Sequence, residues 1–299
     1  AEHFEDSEGF GWSLSGQKFD WTKLIDRKNA EISRLNGIYR RLLANAGVDL
    51  IEARATIVDP HTVDVDGRKI TAKYILVGVG GWPYVPDIPG REHVITSNEA
   101  FYLPELPKRI TVVGGGYIAV EFAGIFNGMG AEVKQLYRGP LFLRGFDADV
   151  RGALLEEMRK KGVDLKMNAD IAEIIRNDDD YTVVLRDGET FETDLVMYAT
   201  GRFPNTKNLG LEAAGVELAK NGSIKVDDYF QTSVPSIYAL GDVIDRVPLT
   251  PVAIGEGMVI ASNLFRGTKQ VMNYDTIPTA VFSQPNIGTV GLTEEKARE

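Results

Sequence analysis

The sequence predicts an α/β architecture with two Rossmann-like units, and three observations predict it. A β-branched run, Ile110 to Val113, breaks at Gly114-Gly115-Gly116 and resumes as an apolar helix from Tyr117 to about Gly130. A second strand, Glu132 to Tyr137, follows, so this stretch reads as the start of a βαβ unit with buried parallel strands. Two more apolar runs, Ile75 to Gly81 and Leu195 to Arg202, each end in a glycine turn, and the second echoes the first. A last buried run, Ser236 to Val243, delivers Asp242 at its C-terminal end, where open α/β sheets place their ligands.

In chain order, residues 1–19 carry Gly, Ser and aromatics without periodicity, as a chain does when it begins inside a domain. From Asp20, an N-cap residue type, apolar positions recur at helical spacing to about Ala46, with Gly47 as the stop. Strands are predicted at 50–58, 62–65 and 69–79, joined by an Asp59-Pro60 turn and an Asp66-Gly67 hairpin turn. The connector from Trp82 to Gly90 is Pro-rich and marks a domain crossing. After the βαβ unit an amphipathic helix spans Asp147 to Lys161. Strands are predicted at 163–167, 171–176, 181–186 and 189–193, with Asn177 to Asp180 as a solvated acidic tip. Residues 205–235 read as short strands and turns, and Leu249 starts a helix to about Phe265. The runs 279–282 and 287–291 read as the first strands of a further domain.

The first turn of the βαβ unit spells G-x-G-x-x-A with Gly114, Gly116 and Ala119. Gly114 permits the tight turn, Gly116 lets a pyrophosphate approach the backbone, and Ala119 lets helix and strand pack closely. The helix N-terminus offers free N–H groups to the phosphates. A dinucleotide is therefore the expected ligand. Where NAD sites place an acidic residue, this chain has Arg138, with Arg144 six residues on. A guanidinium cannot accept a bond from a ribose hydroxyl but pairs with a 2′-phosphate, so NADP(H) is expected. The competing reading is two solvated surface arginines.

Composition sets the outer limits. The 299 residues allow about two domains, and 43% hydrophobic with 25% charged residues is ordinary globular composition. A formal net charge of −10 argues against nucleic acid or an anionic membrane as partner. No apolar run approaches the ~18 residues of a membrane-spanning helix, and the acidic start, Ala1 to Asp6, lacks an apolar signal core. The absence of cysteine excludes a disulfide, a thiol nucleophile or Cys-ligated zinc within these residues. His3, His61 and His93 are not in metal-ligand spacing, so no metal is expected.

Several ordered motifs carry a resemblance. Gly114 to Gly124, Ala199-Thr200-Gly201-Arg202-x-Pro204-Asn205-Thr206, Tyr238 to Val243, Leu249 to Ala253, Arg34 to Tyr39, and Phe282 to Leu292 resemble the FAD-dependent pyridine nucleotide–disulfide oxidoreductases across essentially the whole chain. The resemblance implies FAD and NADPH as cofactors, a cytoplasmic homodimer, and reduction of glutathione disulfide or of a related, modified glutathione. A non-catalytic NADP-binding module is the alternative from another class. It further implies an NADPH domain inserted in an FAD domain, with divisions at 1–90, 91–204, 205–274 and 275–299, the last starting an α+β interface domain.

Residue by residue, the resemblance assigns NADPH to Gly114, Gly116, Tyr117, Ile118, Ala119, Arg138, Arg144, Gly201 and Arg202. Tyr117 is similar to a tyrosine that covers the flavin. Glu121 resembles a carboxylate paired with a lysine beside it, the bland reading being a charge on a helix face. Ala55, Gly80, Ser97, Gly241, Asp242, Leu249, Thr250 and Ala280 match positions near FAD, with Asp242 accepting a ribityl hydroxyl. Tyr39 resembles a tyrosine of the disulfide-substrate pocket, and equally suits a helix core. The family's N-terminal G-x-G-x-x-G, its C-x-x-x-x-C pair and its catalytic His have no counterpart here, so an internal segment, inactive alone, is expected. Gly78-Val79-Gly80 replaces the usual Ala-Thr-Gly, and Met258 stands where some members carry a substrate-binding arginine.

Overall fold

The computed structural model describes residues 2–299, the side chains of Glu2 and Glu5 excepted, so Ala1 of the acidic start lies outside it. The chain folds into two units, each assembled from separate segments. The first takes the residues up to Ala46, Pro83–Gly201 and Pro278–Glu299, and the second takes Gly47–Trp82 and Arg202–Ile277.

A short helix α1 (Glu2–Asp6) stands where the sequence reads as irregular. Helix α2 (Trp21–Asn45) starts at the predicted cap, the Asp20 carboxylate accepting the Lys23 amide at 2.9 Å. Gly47 follows its end at φ 72°. Strands β1 (Ala55–Asp59), β2 (Thr62–Val65) and β3 (Arg68–Thr71) form an antiparallel meander. Its second turn has the expected hairpin chemistry, with Asp66 at φ 50° and Gly67 at φ 85°.

Two strand expectations fail here. Residues 50–54 lie outside β1. The run 69–79 is split between β3 and β4 (Ile75–Val77), which belong to different sheets. The cause is non-local: Ile75 to Val77 pair in parallel with residues 237–239 instead of continuing the hairpin.

After β5 (Gly81–Pro83) comes the one-turn helix α3 (Ser97–Ala100), closed by a Thr96–Glu99 capping box. Then β6 (Arg109–Val113), α4 (Tyr117–Gly128) and β7 (Glu132–Tyr137) form the predicted βαβ start. Helix α5 (Ala148–Lys160) leads to β8 (Asp164–Met167). An antiparallel sheet of β9 (Ile171–Arg176), β10 (Tyr181–Leu185) and β11 (Thr190–Thr193) follows, and the chain re-enters the parallel sheet as β12 (Leu195–Tyr198). That sheet has the order β12-β6-β7-β8. Its centre is β6, whose Ile110, Thr111 and Val112 are at most 1% exposed, as a strand covered on both faces must be. Phe126 of α4 anchors the apolar core below, stacked on Trp21 with centroids 6.1 Å apart.

In the second unit β13 (Arg202–Pro204) pairs with β5, and β14 (Ile237–Ala239) with β4. Residues 205–235 hold isolated bridges and turns instead of the expected strands. Left-handed residues recur there, at Asn208, Gly210, Gly215, Gly222 and Phe230, and interrupt any extended run. Helix α6 (Thr250–Arg266) ends at a left-handed Gly267. Returning to the first unit, β15 (Thr279–Val281) and β16 (Ile287–Thr289) form a hairpin, and α7 (Glu294–Arg298) closes the chain. Val281 is fully buried in the core beneath α4, and Asp147 accepts the Glu294 amide at 2.6 Å.

The acidic tip read as solvated is partly engaged. Arg109 donates to Asp194 at 2.6 Å and to Asp180 at 2.9 Å, tying β6 to the start of β12 and to the β9–β10 turn. A hydrogen bond from Asn177, then the Arg109 guanidinium, holds the Asp180 carboxyl below its ordinary range. A depressed carboxyl binds fewer protons folded than unfolded, so its stabilisation exists above the unfolded value near 3.8 and disappears as pH falls through the folded value. Asp180→Asn should therefore lower Tm at pH 7 and converge on the parent as pH falls well below 3.8. A mutant curve running parallel to the parent over that range would refute the linkage.

Candidate functional site

The β6–α4 turn is built around a glycine that admits no side chain. Gly114 sits at φ 148°, and a Cβ there would stand 2.3 Å from the Ala199 carbonyl oxygen of the neighbouring strand end. The same Cβ would meet the Ala119 methyl at 3.1 Å, which is why position 119 is small. The Gly114 carbonyl is drawn inward by the side-chain amide of Gln135, fully buried on β7, at 3.0 Å. Gly115 lies under an aromatic lid, its Cβ position only 2.4 Å from the Tyr137 ring. Gly116 is the opposite case, with nothing within 4 Å of where a Cβ would be. It caps α4 without a side chain, so the amides of Ile118 and Ala119 lie in a first turn that offers them no intrahelical acceptor. Open space over the backbone, uncapped amides and a helix dipole together fit a pyrophosphate.

Past β7 the chain runs through a loop, 138–146, that returns to this turn. The Leu143 amide donates to the Gly115 carbonyl at 2.6 Å. Arg138 and Arg144 are both exposed, and neither forms an ion pair among the described residues. The structure thus brings Gly114, Gly116, Tyr117, Ile118, Ala119, Arg138 and Arg144 onto one turn and the loop bonded to it.

Glu121, one helical turn after Tyr117, is half-buried. No lysine forms an ion pair with it among the described residues. Its carboxylate instead accepts the Phe282 amide at 2.9 Å, fastening the β15–β16 hairpin to α4.

In the second unit a cavity of about 300 Å³ is lined by Gly78, Gly80, Leu240, Gly241, Asp242, Thr250, Ala253 and Ile254. Of the residues expected near FAD, Gly80, Gly241, Asp242 and Thr250 meet there, and Leu249 is the N-cap of α6 beside Thr250. Glycines leave one wall bare, and Asp242 carries a carboxylate with no hydrogen-bond partner among the described residues. That pairing fits a planar ring with a hydroxylated chain. The volume is at the lower end for a small-molecule site, so this cavity has room for part of a dinucleotide only.

The turn bearing Asp242 is fixed from behind by a residue that sequence patterning does not reveal. Glu256 of α6, 1% exposed, accepts the Gly241 amide at 2.7 Å and the Tyr274 hydroxyl at 2.7 Å. Burial, and then the Glu256 carboxylate, push the Tyr274 hydroxyl up to about 12. Arg246 stacks over the Tyr274 and Phe230 rings, placing a positive charge beside the Tyr274 hydroxyl.

Other expected residues stand elsewhere. Arg202 gives its guanidinium to the Gly81 carbonyl, and the Gly201 carbonyl accepts the Tyr84 amide. Ala55 begins β1, Ser97 begins α3, Ala280 is exposed in β15, and none of the three lines the cavity. Tyr39 is 63% exposed on α2, so the core reading for it fails. No group of three or more potential metal ligands occurs among the described residues. None of their helices is long and apolar enough to cross a membrane.

Residues 3–257 match the family described as pyridine nucleotide-disulphide oxidoreductase. A chloroplastic/mitochondrial glutathione reductase of Pisum sativum is 52% identical over 100% of this chain and 54% of its own length. A glutathione reductase of Burkholderia cepacia is 48% identical over 100% of the chain and 67% of its own. A trypanothione reductase of Leishmania donovani is 42% identical over 98% and 63%. Among solved structures, the HOCl-induced flavoprotein disulfide reductase RclA of Escherichia coli superposes with a TM-score of 0.89 at 30% identity, over 94% of this chain and 66% of that one. The chain therefore spans between about half and two thirds of the length of these relatives.

Two substitutions test the scaffolding of these sites. Gly115→Ala should cost about 1–3 kcal/mol through overpacking against the Tyr137 ring, and adding Tyr137→Ala should restore nucleotide affinity lost with it. Wild-type Tm for Gly115→Ala would show that the ring yields freely. Glu256→Ala should cost about 2–5 kcal/mol by orphaning a buried amide and a part-buried hydroxyl. Urea unfolding would measure it, and a cost under about 0.5 kcal/mol would refute the anchoring role.

Proposed function

The chain belongs to the pyridine nucleotide-disulphide oxidoreductase family, and from that premise we propose that the protein carrying it is an NADPH-dependent, FAD-containing reductase of glutathione disulfide. The observation that carries the cofactor choice is the pair of unpaired guanidinium groups, Arg138 and Arg144, on the loop bonded to an uncapped dinucleotide turn. The similarity to glutathione reductases at 48% and 52% identity supports the substrate class.

In this reading the α4 amides bind the pyrophosphate and the two arginines take the 2′-phosphate. Gly114 presents no carbonyl to the anion because Gln135 holds that oxygen inward. Tyr117, in the first turn of α4, covers the nicotinamide position, and Gly201 of the same unit flanks it. Asp242 accepts a hydroxyl of the flavin side chain, with Gly80, Gly241, Leu249 and Thr250 around the ring. Bound FAD supplies the two-electron relay between nicotinamide and a disulfide. The chain has no cysteine, and exchange with a disulfide requires a thiolate, so the cystine is proposed to come from residues beyond these 299. A homodimer working in a reducing compartment, with Tyr39 at the substrate, completes the proposal.

One observation favours a second substrate. Met258 is 67% exposed on α6 and cannot pair with a substrate carboxylate. Together with the similarity to a trypanothione reductase, this keeps a modified glutathione disulfide in view.

The test is a titration of the 299-residue chain with NADPH and NADH. A charge-assisted hydrogen bond is worth about 1.5–3 kcal/mol, so NADPH should bind at least roughly tenfold tighter. Arg138→Glu with Arg144→Ala should abolish or invert that preference. An unchanged NADPH affinity in the double variant would end the arginine assignment.

A further inference from the structure

The loop that carries Arg138 and Arg144 is held by more than its own sequence. Phe142 and Leu143 are plugged into the core at 0% and 2% exposure, and the Gly139 carbonyl accepts the Asn168 amide at 3.0 Å. Between these anchors the backbone takes an unfavourable path. Leu143 sits at φ 53°, left-handed, a conformation that branched residues rarely adopt. Something must hold it there, because Arg144 follows it directly.

Besides the bond from the Leu143 amide to the Gly115 carbonyl, one side chain holds it, Arg151. Its Nε donates to the Phe142 carbonyl at 2.6 Å and its Nη2 to the Leu141 carbonyl at 2.5 Å. A planar fork of donors fixes two successive carbonyls in one rigid geometry, which an ammonium on a flexible stem does not. The position is otherwise a poor one for a cation. Arg151 lies one turn into α5, where the helix dipole disfavours positive charge. The two carbonyls explain why a cation stands there. Neither contact is visible in the spacing of the sequence, since Arg151 reads as one more charge on an amphipathic helix.

We infer that Arg151 is a positioning residue for recognition of the 2′-phosphate. By gripping the Leu141 and Phe142 carbonyls it keeps Leu143 left-handed and so presents Arg144 at the nucleotide. This rests on the reading of Arg138 and Arg144 given above, and the experiment separates the two.

The 299-residue chain is titrated calorimetrically with 2′,5′-ADP and with 5′-ADP, which differ in the 2′-phosphate. Arg151→Met should weaken 2′,5′-ADP by about threefold to tenfold, a fraction of one charge-assisted hydrogen bond, and leave 5′-ADP within about twofold. In an Arg144→Ala background the same substitution should cause no further loss, because it acts through Arg144. Arg151→Lys, which keeps the charge without the fork, should fall between parent and Arg151→Met, and it serves if the methionine variant does not fold. Equal weakening of both ligands would make Arg151 merely structural. A full additional loss without Arg144 would make it a direct phosphate ligand. Either result overturns the inference, as does parental affinity in both variants. A parent chain that does not prefer 2′,5′-ADP, or an Arg144→Ala variant that still does by the same margin, removes the underlying reading and this inference with it.

Discussion

The 2.3 Å between the Ala199 oxygen and the place where a Gly114 Cβ would stand is the constraint on which the first unit depends. Strand β12 can pair with β6 through Tyr198 only if residue 114 has no side chain. Given that, the Gly114 amide bonds to the Leu136 carbonyl and the Ala199 amide to the Val113 carbonyl, so three strand ends converge at one point. Helix α4 then leaves the turn with its first amides facing outward. The order β12-β6-β7-β8 and the anion site are two consequences of the same contact.

The sequence made the parts with local causes legible. The Asp20 cap, the Asp66-Gly67 turn, the helix after Gly116 and the strand Ile171 to Arg176 all follow from residue type and spacing, and all are present. Where pairing partners are distant, spacing fails. The run 69–79 looks continuous because apolar residues recur along it with no turn residue before Gly78, yet Ile75 to Val77 answer to residues 237–239. For the site the division is similar. Gly114, Gly116, Arg138 and Arg144 belong to a motif, so they could be named. Gln135, Tyr137, Arg151 and Glu256 act through side chains that meet the turn from other elements, and no periodicity marks them.

Two of these, Gln135 and Glu256, share a logic that differs in sign between the two units. In the first, a buried side-chain amide donates to a backbone carbonyl at a glycine turn, from Gln135 to Gly114. In the second, a buried carboxylate accepts a backbone amide at a glycine turn, from Gly241 to Glu256. A carbonyl left facing the first turn would repel a phosphate, so taking it inward leaves donors facing outward. At the second turn the Gly241 amide is taken inward, which leaves the Asp242 carboxylate as the polar group facing the cavity. One turn is thereby a donor surface and the other an acceptor surface.

This arrangement also accounts for an otherwise unfavourable atom. The Gln135 Oε1 is buried without a partner, a state that costs about 1–3 kcal/mol. Reversing the side-chain amide would satisfy nothing, because it would set that oxygen against the Gly114 carbonyl. A leucine at position 135 would remove the orphan and suit a core strand, but it would free the Gly114 carbonyl to turn toward the anion. The unsatisfied oxygen is therefore the local cost of a turn that shows only donors to a phosphate.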